Sequence, residues 1–487
     1  MFSLHRVLIA VLLVGNAVVF AGVDSPTKLL SAAIVLVLMI DLRRVPEVPS
    51  VVRAAAWSFL VLVVIQLLPL PEGLRRLLQP GFAEVMAAGW APLSLAPWST
   101  IQVAASAMVV AGIALTAARM ASTRSGLPVL LGIIAVTCGV MAVLGLAGES
   151  GAPENVLLIR ANTGGGGVYG PFVNSNHFAA GIELSLPAAL VLLAAAVRNL
   201  PRPGSVRQRA AVTALGAAVV VVVALAAVLR SSSRGGVMFL AAALLLTGGL
   251  WLRPWRARRW PWVAGVSALL VVAGALAWTR LPEVRDEFAQ LFVVEGVEGN
   301  TRWDLWAGTV DSFARSPVVG SGLGSYRHVI GLDKPATGLS VLEQAHNVWL
   351  EWASTAGIAG VAVLVLFLVG VGVALRPRRV RHLRFDLRYP LAGAAVALTA
   401  TALHEMVGFG LQTPVNRYLL AAWVGLVWGV WRRVEEGKGR GPTNGDDDAV
   451  RDQQAMSEIE FDDSDADADA DAGSGAGSGE GETGGEG

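Results

Sequence analysis

Residues 357–375 read GIAGVAVLVLFLVGVGVAL, a run without a charged side chain. A helix needs about 20 consecutive apolar residues to cross the hydrocarbon core of a bilayer. Just before this run, residues 343–352 read EQAHNVWLEW and place His346 and Asn347 where a polar loop enters the apolar segment. The stretch therefore predicts a transmembrane helix with a titratable side chain at its entrance.

The rest of the chain has the composition of a membrane protein. Of its 487 residues, 54% are apolar and 15% are charged, whereas soluble domains carry about 25% charged residues. The single cysteine, Cys138, lies in an apolar run, so no disulfide can form within the chain. The first apolar segment lacks a convincing small-residue cleavage site, and we interpret it as a transmembrane helix rather than a signal peptide.

Apolar segments recur along the chain and predict an all-α polytopic membrane protein with about twelve transmembrane helices. The segments are centred near residues 15, 33, 62, 108, 137, 187, 219, 244, 270, 363, 398 and 424. Arginine-rich loops, such as 253–259 and 376–388, alternate with loops that carry less charge for their length. Because basic loops stay in the cytoplasm, the large loop 280–346 is expected to face the periplasm.

The last part of the chain differs from the membrane body. Residues 434–487 include the acidic repeat DDSDADADADAG and show no pattern that could form a core. Such a composition predicts a disordered cytoplasmic tail. The tail is either a solvated extension or an electrostatic contact for a partner.

Polar clusters fall on the predicted outer side. In the first, at residues 170–181, Asn174 and Asn176 stand beside His177, where asparagines either cap a helix or contact a substrate. In the second, LRSSSRGG at 229–236, the Arg234 guanidinium either reaches water at the membrane surface or binds a phosphate.

The large outer loop carries the third cluster. Residues 300–317 predict an amphipathic helix with Arg302 in its first turn, where the helix N-terminus and the guanidinium both favour an anion. The sequence GSGLGSY at 320–326 follows no predicted strand, so we interpret it as a flexible turn under the substrate rather than a dinucleotide site. Because the outer side lacks ATP, chemistry there needs an already activated substrate, and in a membrane this is usually lipid-linked.

The ordered set of motifs resembles the O-antigen ligase / O-antigen polymerase superfamily of bacterial membrane glycosyltransferases. The resemblance covers roughly residues 90–430, and its specificity comes from the order, side and spacing of the motifs. They are LSLAPWST (93–100), PFVNSNHFAA (171–180), SSSRGG (231–236), TRWDLW (301–306), SPVVGSGLGSY (316–326), QAHNVWLEWASTAGIAG (344–360) and LHEMVGFGLQTPVNRYLLAAWVGLVWG (403–429). The expected domain is an O-antigen ligase-like transmembrane domain over residues 1–433.

The resemblance implies a GT-C-type, inverting and metal-independent glycosyltransferase in the bacterial inner membrane, with its active side in the periplasm. Its donor would be a glycan on undecaprenyl pyrophosphate, and its acceptor a hydroxyl of a lipid or glycan. The outer-loop histidine of the family corresponds to His346, and its functional arginines to Arg234 and Arg302. Further substrate contacts are predicted at Asn174, Asn176, Asn347 and Glu343. No metal, cofactor or nucleic-acid partner is expected.

The residue chemistry leads to the same prediction. Inversion needs a base for the acceptor hydroxyl, and a neutral histidine such as His346 can take that proton. Arginines can neutralise the departing pyrophosphate without a metal ion. The alternative is that His346 is a surface or helix-capping histidine without a catalytic role.

Other functional classes remain open. A transporter or flippase of lipid-linked oligosaccharide would need polar groups along a path through the spans, which carry little charge apart from His404 and Glu405. A non-catalytic scaffold would leave His346 without a specified role. Ligase and polymerase differ only in the acceptor, and no motif distinguishes the two.

Overall fold

Long helices account for most of the described chain. The computed structural model describes residues 2–41, 47–85, 87–148, 150–151, 155–157, 160–161, 167–231, 233–251, 302–333, 343–376, 380 and 383–436. The helices are α1 (Phe2–Ala10, continued by a π turn to Val18), α2 (Ser25–Asp41), α3 (Ser50–Leu67), α4 (Glu72–Leu78), α5 (Pro97–Ala121), α6 (Gly126–Ala147), α7 (Ser175–Asn199), α8 (Ser205–Arg230), α9 (Arg234–Trp251), α10 (Arg302–Arg315), α11 (Tyr326–Val329), α12 (Val348–Ala374), α13 (Phe385–His404) and α14 (Pro414–Glu435).

The segment between α6 and α7 adds two short pairs of strands. Strand β1 (Ser150–Gly151) pairs antiparallel with β4 (Val168–Tyr169), and β2 (Asn155–Val156) pairs antiparallel with β3 (Arg160–Ala161). Each strand has only two residues, so these pairs are loop structure beside a helical bundle. The predicted all-α polytopic fold class is confirmed.

Among the described residues, six helices are long and apolar enough to cross a membrane. They are α3, α5, α6, α7, α8 and α12. The first two predicted spans are shorter apolar helices, and the predicted spans near 398 and 424 are the helices α13 and α14. The predicted total of twelve is therefore not confirmed, and the predicted span near residue 270 lies outside the described residues.

Two further predictions fall wholly or partly outside the described chain. Of the loop 280–346, which was predicted to face the periplasm, the described residues 302–333 and 343–346 include the helices α10 and α11. The acidic tail beyond Glu436 lies outside the described residues, so its disorder stays a prediction.

Close packing of α14 against α5 joins two distant parts of the sequence. A β carbon at Gly425 would clash with the carbonyl oxygen of Ala114, and one at Gly429 would clash with that of Ala118. Small residues let helix backbones approach closely in membranes, where dispersion contacts replace the hydrophobic drive. On its other sides the bundle packs α7 against α6, α8 and α13, and α9 against α13.

Helix α12 is broken at Gly357, which has a left-handed φ of 64°. The break releases backbone groups, and the glycine-rich loop that follows α10 takes them up. Gly322 N donates to Thr355 O at 2.9 Å, and Ile358 N donates to Pro317 O at 2.8 Å. Because unpaired backbone groups are costly within a bilayer, the loop and the break stabilise each other. The loop is therefore packed against the bundle and is not the flexible turn that its glycines predicted.

The side-chain amide of Gln66, buried in α3, acts as a clamp: it forms hydrogen bonds with both the glycine-rich loop and α12 at the loop–helix junction. Its Nε2 donates to Val319 O at 2.8 Å and to Thr355 O at 3.1 Å, and its Oε1 accepts from Leu323 N at 2.9 Å. One side chain thus satisfies backbone groups on both sides of the loop–helix junction.

We predict that Gln66→Leu lowers the thermal unfolding midpoint of the detergent-solubilised protein. The substitution leaves Val319 O and Leu323 N without this partner, at about 1–3 kcal/mol for each unsatisfied group, while Thr355 O keeps its hydrogen bond from Gly322 N. The control is Gln102→Leu, the same chemical change at an exposed position of α5. Equal midpoints for the two variants would show that the clamp contributes nothing.

Candidate functional site

The predicted polar clusters meet at one end of the bundle. Ser233, just before α9, donates from Oγ to Asn176 Oδ1 in the first turn of α7 at 2.8 Å. Val348, the first residue of α12, donates its N–H to the carbonyl of Glu405, which follows α13, at 3.0 Å. Motifs that are far apart in sequence therefore form one site.

Basic residues mark the opposite ends of the same helices. Arg119 lies in the last turn of α5, Arg198 in the last turn of α7, and Arg433 in the last turn of α14. Arg433 Nη2 lies 3.9 Å from Asp386 Oδ2 in the first turn of α13. The last turns of α5, α7 and α14 thus carry arginines at the end of the bundle that lies away from the candidate site.

The segment around His346 is held at several points. Ala345 donates its N–H to Glu351 Oε2 at 3.1 Å, and its carbonyl accepts from Trp306 Nε1 at 3.1 Å. His346 itself has a φ of 51°, a left-handed conformation that is uncommon for residues other than glycine and often found at functional sites. These contacts orient the imidazole through its backbone.

The imidazole of His346 is half-buried and packs edge-on against Phe409, with ring centroids 4.6 Å apart. Burial, followed by the positive charge of Arg302, lowers the pKa of His346 to about 4. Both causes disfavour the imidazolium. His346 is therefore neutral at physiological pH and can accept a proton.

Arg302 is the first residue of α10 and is buried. Its Nη1 donates to the carbonyl oxygen of Val407 at 2.7 Å. Its charge is close enough to act on the imidazole of His346. The predicted base and one predicted anion-binding arginine thus share one site.

His177 approaches the other predicted residues but is less accessible than His346. Only 7% of its surface is exposed, and its Nδ1 lies 3.0 Å from Thr413 Oγ1. Its ring also packs edge-on against Phe409, at a centroid distance of 4.5 Å. Phe409 thus contacts both histidines, and His346 is the more exposed of the two.

The predicted asparagines have structural contacts in this region. Asn174 caps α7 by accepting from Asn176 N at 2.8 Å, and Asn347 caps α12 by accepting from Leu350 N at 3.1 Å. Capping was one of the two interpretations of Asn174 and Asn176. Contact of Asn174, Asn176 and Asn347 with a substrate stays a prediction.

The two remaining predicted contacts have different positions. Arg234 is the first residue of α9, next to the Ser233–Asn176 hydrogen bond, and its side chain lies outside the described part of the structure. Glu343 is exposed and precedes His346 by three residues. Their roles as substrate contacts stay predictions.

A buried acid–base pair was missed by the sequence analysis. Glu183 Oε1 in α7 lies 2.9 Å from His404 Nδ1 at the end of α13, and both residues are at least 95% buried. His404 and Glu405 stood out in the sequence without an assigned role, and Glu183 was not predicted to be functional. The available signal was the rule that an ionisable residue inside a span marks a functional site.

No three His, Cys, Asp or Glu side chains come together as metal ligands within the described ranges. Metal independence stays a prediction.

Comparison with known proteins identifies a domain in this chain. Residues 218–365 match the family model described as O-antigen ligase. The match includes Arg234, Arg302, Glu343, His346 and Asn347, and it confirms the resemblance to the O-antigen ligase / O-antigen polymerase superfamily. None of the curated proteins matches the chain.

The effect of the Arg302 charge on the pKa of His346 can be tested by mutation. We expect Arg302→Gln to raise the pKa of His346 from about 4 toward its ordinary value of about 6.5, because a neighbouring positive charge is removed. The measurement is NMR titration of labelled histidine, with His346→Gln to assign the resonance. Arg327→Gln, an exposed arginine of the same outer loop, is the control. An unchanged His346 pKa in Arg302→Gln would remove Arg302 as a cause.

Proposed function

We propose that this chain, which carries an O-antigen ligase domain at residues 218–365, transfers a glycan from an undecaprenyl-pyrophosphate carrier to an acceptor hydroxyl. The reaction takes place at the periplasmic face of the bacterial inner membrane, with inversion and without a metal ion. The acceptor is a lipid or a second glycan. The observation that carries the proposal is the half-buried, neutral His346 beside the buried Arg302.

His346 acts as the general base in this proposal. A neutral imidazole takes the proton of the acceptor hydroxyl as the hydroxyl oxygen attacks the anomeric carbon. The bond from that carbon to the pyrophosphate oxygen breaks, and the lipid pyrophosphate leaves with the bonding electrons. The held conformation of residues 345–348 supports this role because a fixed base needs no reorientation during the reaction.

Arg302 and Arg234 bind the pyrophosphate. A guanidinium forms paired hydrogen bonds with phosphate oxygens and stays charged, so it stabilises the negative charge that develops on the leaving group. Binding of the anionic donor also offsets the positive charge of Arg302, which is one cause of the low His346 pKa. Donor binding thereby raises the pKa of His346, the proposed base.

Transport of lipid-linked oligosaccharide is the alternative, and buried Glu183 inside a candidate span favours it. In the described structure, however, Glu183 pairs with His404, whose carbonyl accepts from Val407 N, and Val407 O accepts from Arg302 beside His346. The position of the pair therefore favours glycan transfer. A flipping assay with a fluorescent lipid-linked glycan in proteoliposomes tests the alternative directly.

We expect purified protein to join a lipid-pyrophosphate glycan to an acceptor hydroxyl, and His346→Gln to lose this activity. Glutamine keeps hydrogen bonding but not basicity, and loss of a general base costs about 10²–10⁴-fold in rate. Product is measured by chromatography after separate incubations with lipid and glycan acceptors. His328→Gln is the matched control, because His328 is an exposed histidine of the same outer loop. Near wild-type turnover by His346→Gln would refute the assignment of the base.

The pH profile should distinguish free enzyme from donor complex. The acidic limb of kcat/KM for the donor reports the free enzyme, where the His346 pKa is about 4. The acidic limb of kcat reports the complex, in which the pyrophosphate offsets Arg302, and we expect it at higher pH. Both rates should fall as the pH drops through the respective pKa, because only the neutral imidazole accepts a proton. Coincident limbs would contradict the coupling between donor and base.

A further inference from the structure

The hydrogen bond between Glu183 and His404 joins two helices inside the bundle. Glu183 lies in α7 and is 1% exposed, and His404 closes α13 and is 4% exposed. Burial of a polar pair is costly, and an apolar pair of similar volume is often at least as stable. Stability alone therefore does not account for this pair.

His404 is also the first residue of a turn, residues 404–409, that contacts the candidate site at several points. Val407 donates its N–H to His404 O at 3.0 Å, and its carbonyl accepts from Arg302 Nη1 at 2.7 Å. The carbonyl of Glu405 accepts from Val348 N at 3.0 Å. One turn thus holds both the arginine and the start of the helix that follows His346.

The same turn contacts the imidazole itself. The Phe409 ring at its end packs edge-on against His346. Glu405 stabilises the following residues, because its Oε1 accepts from Leu411 N at 3.0 Å. A displacement of the turn would therefore move Arg302, Val348 and the ring beside His346 together.

We infer that Glu183 and His404 are positioning residues of the transfer site: their hydrogen bond ties the 404–409 turn to α7, and the turn places Arg302 and His346. The inference rests on the proposed function. Both residues lie outside the matched range 218–365. The hydrogen bond carries the effect, so a glutamine at position 183, whose Oε1 still accepts from His404 Nδ1, preserves the placement, and leucine abolishes it.

Hydrogen exchange and turnover test the inference in parallel on the full-length protein in nanodiscs. In Glu183→Leu, peptides covering 343–352 and 404–412 should exchange faster than in wild type, and kcat should fall by about 10²-fold, the cost of a 1 Å misplacement. Glu183→Gln should keep both the exchange of these peptides and kcat close to the wild-type values. Ser185→Ala is the control, since Ser185 is buried in the same helix and its described hydrogen bonds go to Gly181 O, Ile182 O and the Cys138 thiol.

The outcomes separate the two proposals. Wild-type exchange of both peptides in Glu183→Leu would overturn the positioning role, even if turnover collapsed. If Glu183→Leu does not fold, the apolar double variant Glu183→Leu/His404→Leu takes its place, and the same exchange criterion applies. A wild-type protein that transfers nothing would refute the proposed function, while the exchange pattern would still decide whether the pair holds the turn.

Discussion

The end of the bundle that carries the candidate site depends on one constraint: a backbone that breaks inside a membrane helix must find new hydrogen-bond partners. The break in α12 at Gly357 meets this constraint by pairing with residues 317–322 and with the Gln66 amide. The short helical segment before the break begins at Val348, two residues after His346. The hydrogen bonds at the break therefore set the direction of this helical segment and, with it, the position of His346.

A second set of contacts holds the residues just before the break in α12, together with the segment that contains His346. Carbonyl oxygens of Glu405 and Val407 hold Val348 and Arg302, and Trp306 holds Ala345. Most of these bonds use backbone atoms of one partner, so they restrict position without specifying side-chain chemistry. These contacts place the two residues for which we propose the roles of general base and anion-binding group, His346 and Arg302.

Sequence reasoning found the features that depend on local pattern. The apolar runs of α5, α7 and α12 predicted helices because length and hydropathy are local properties, and the caps at Asn174 and Asn347 follow from adjacent residues. The Glu183–His404 pair joins residues 221 positions apart, and no local pattern indicates that they meet. The glycine loop was misjudged for the same reason. Its glycines permit flexibility, whereas its partners in α3 and α12 remove it.

The glycine contacts between α14 and α5 restrict how the bundle can move. Sliding α14 by one turn, about 5.4 Å, would replace Gly425 by Ala421 or Gly429 by Arg433 at positions where even a β carbon clashes with an α5 carbonyl. Neither direction offers a second stable register. The two helices therefore move as one rigid unit, and any opening of the bundle must come from movements of other helices.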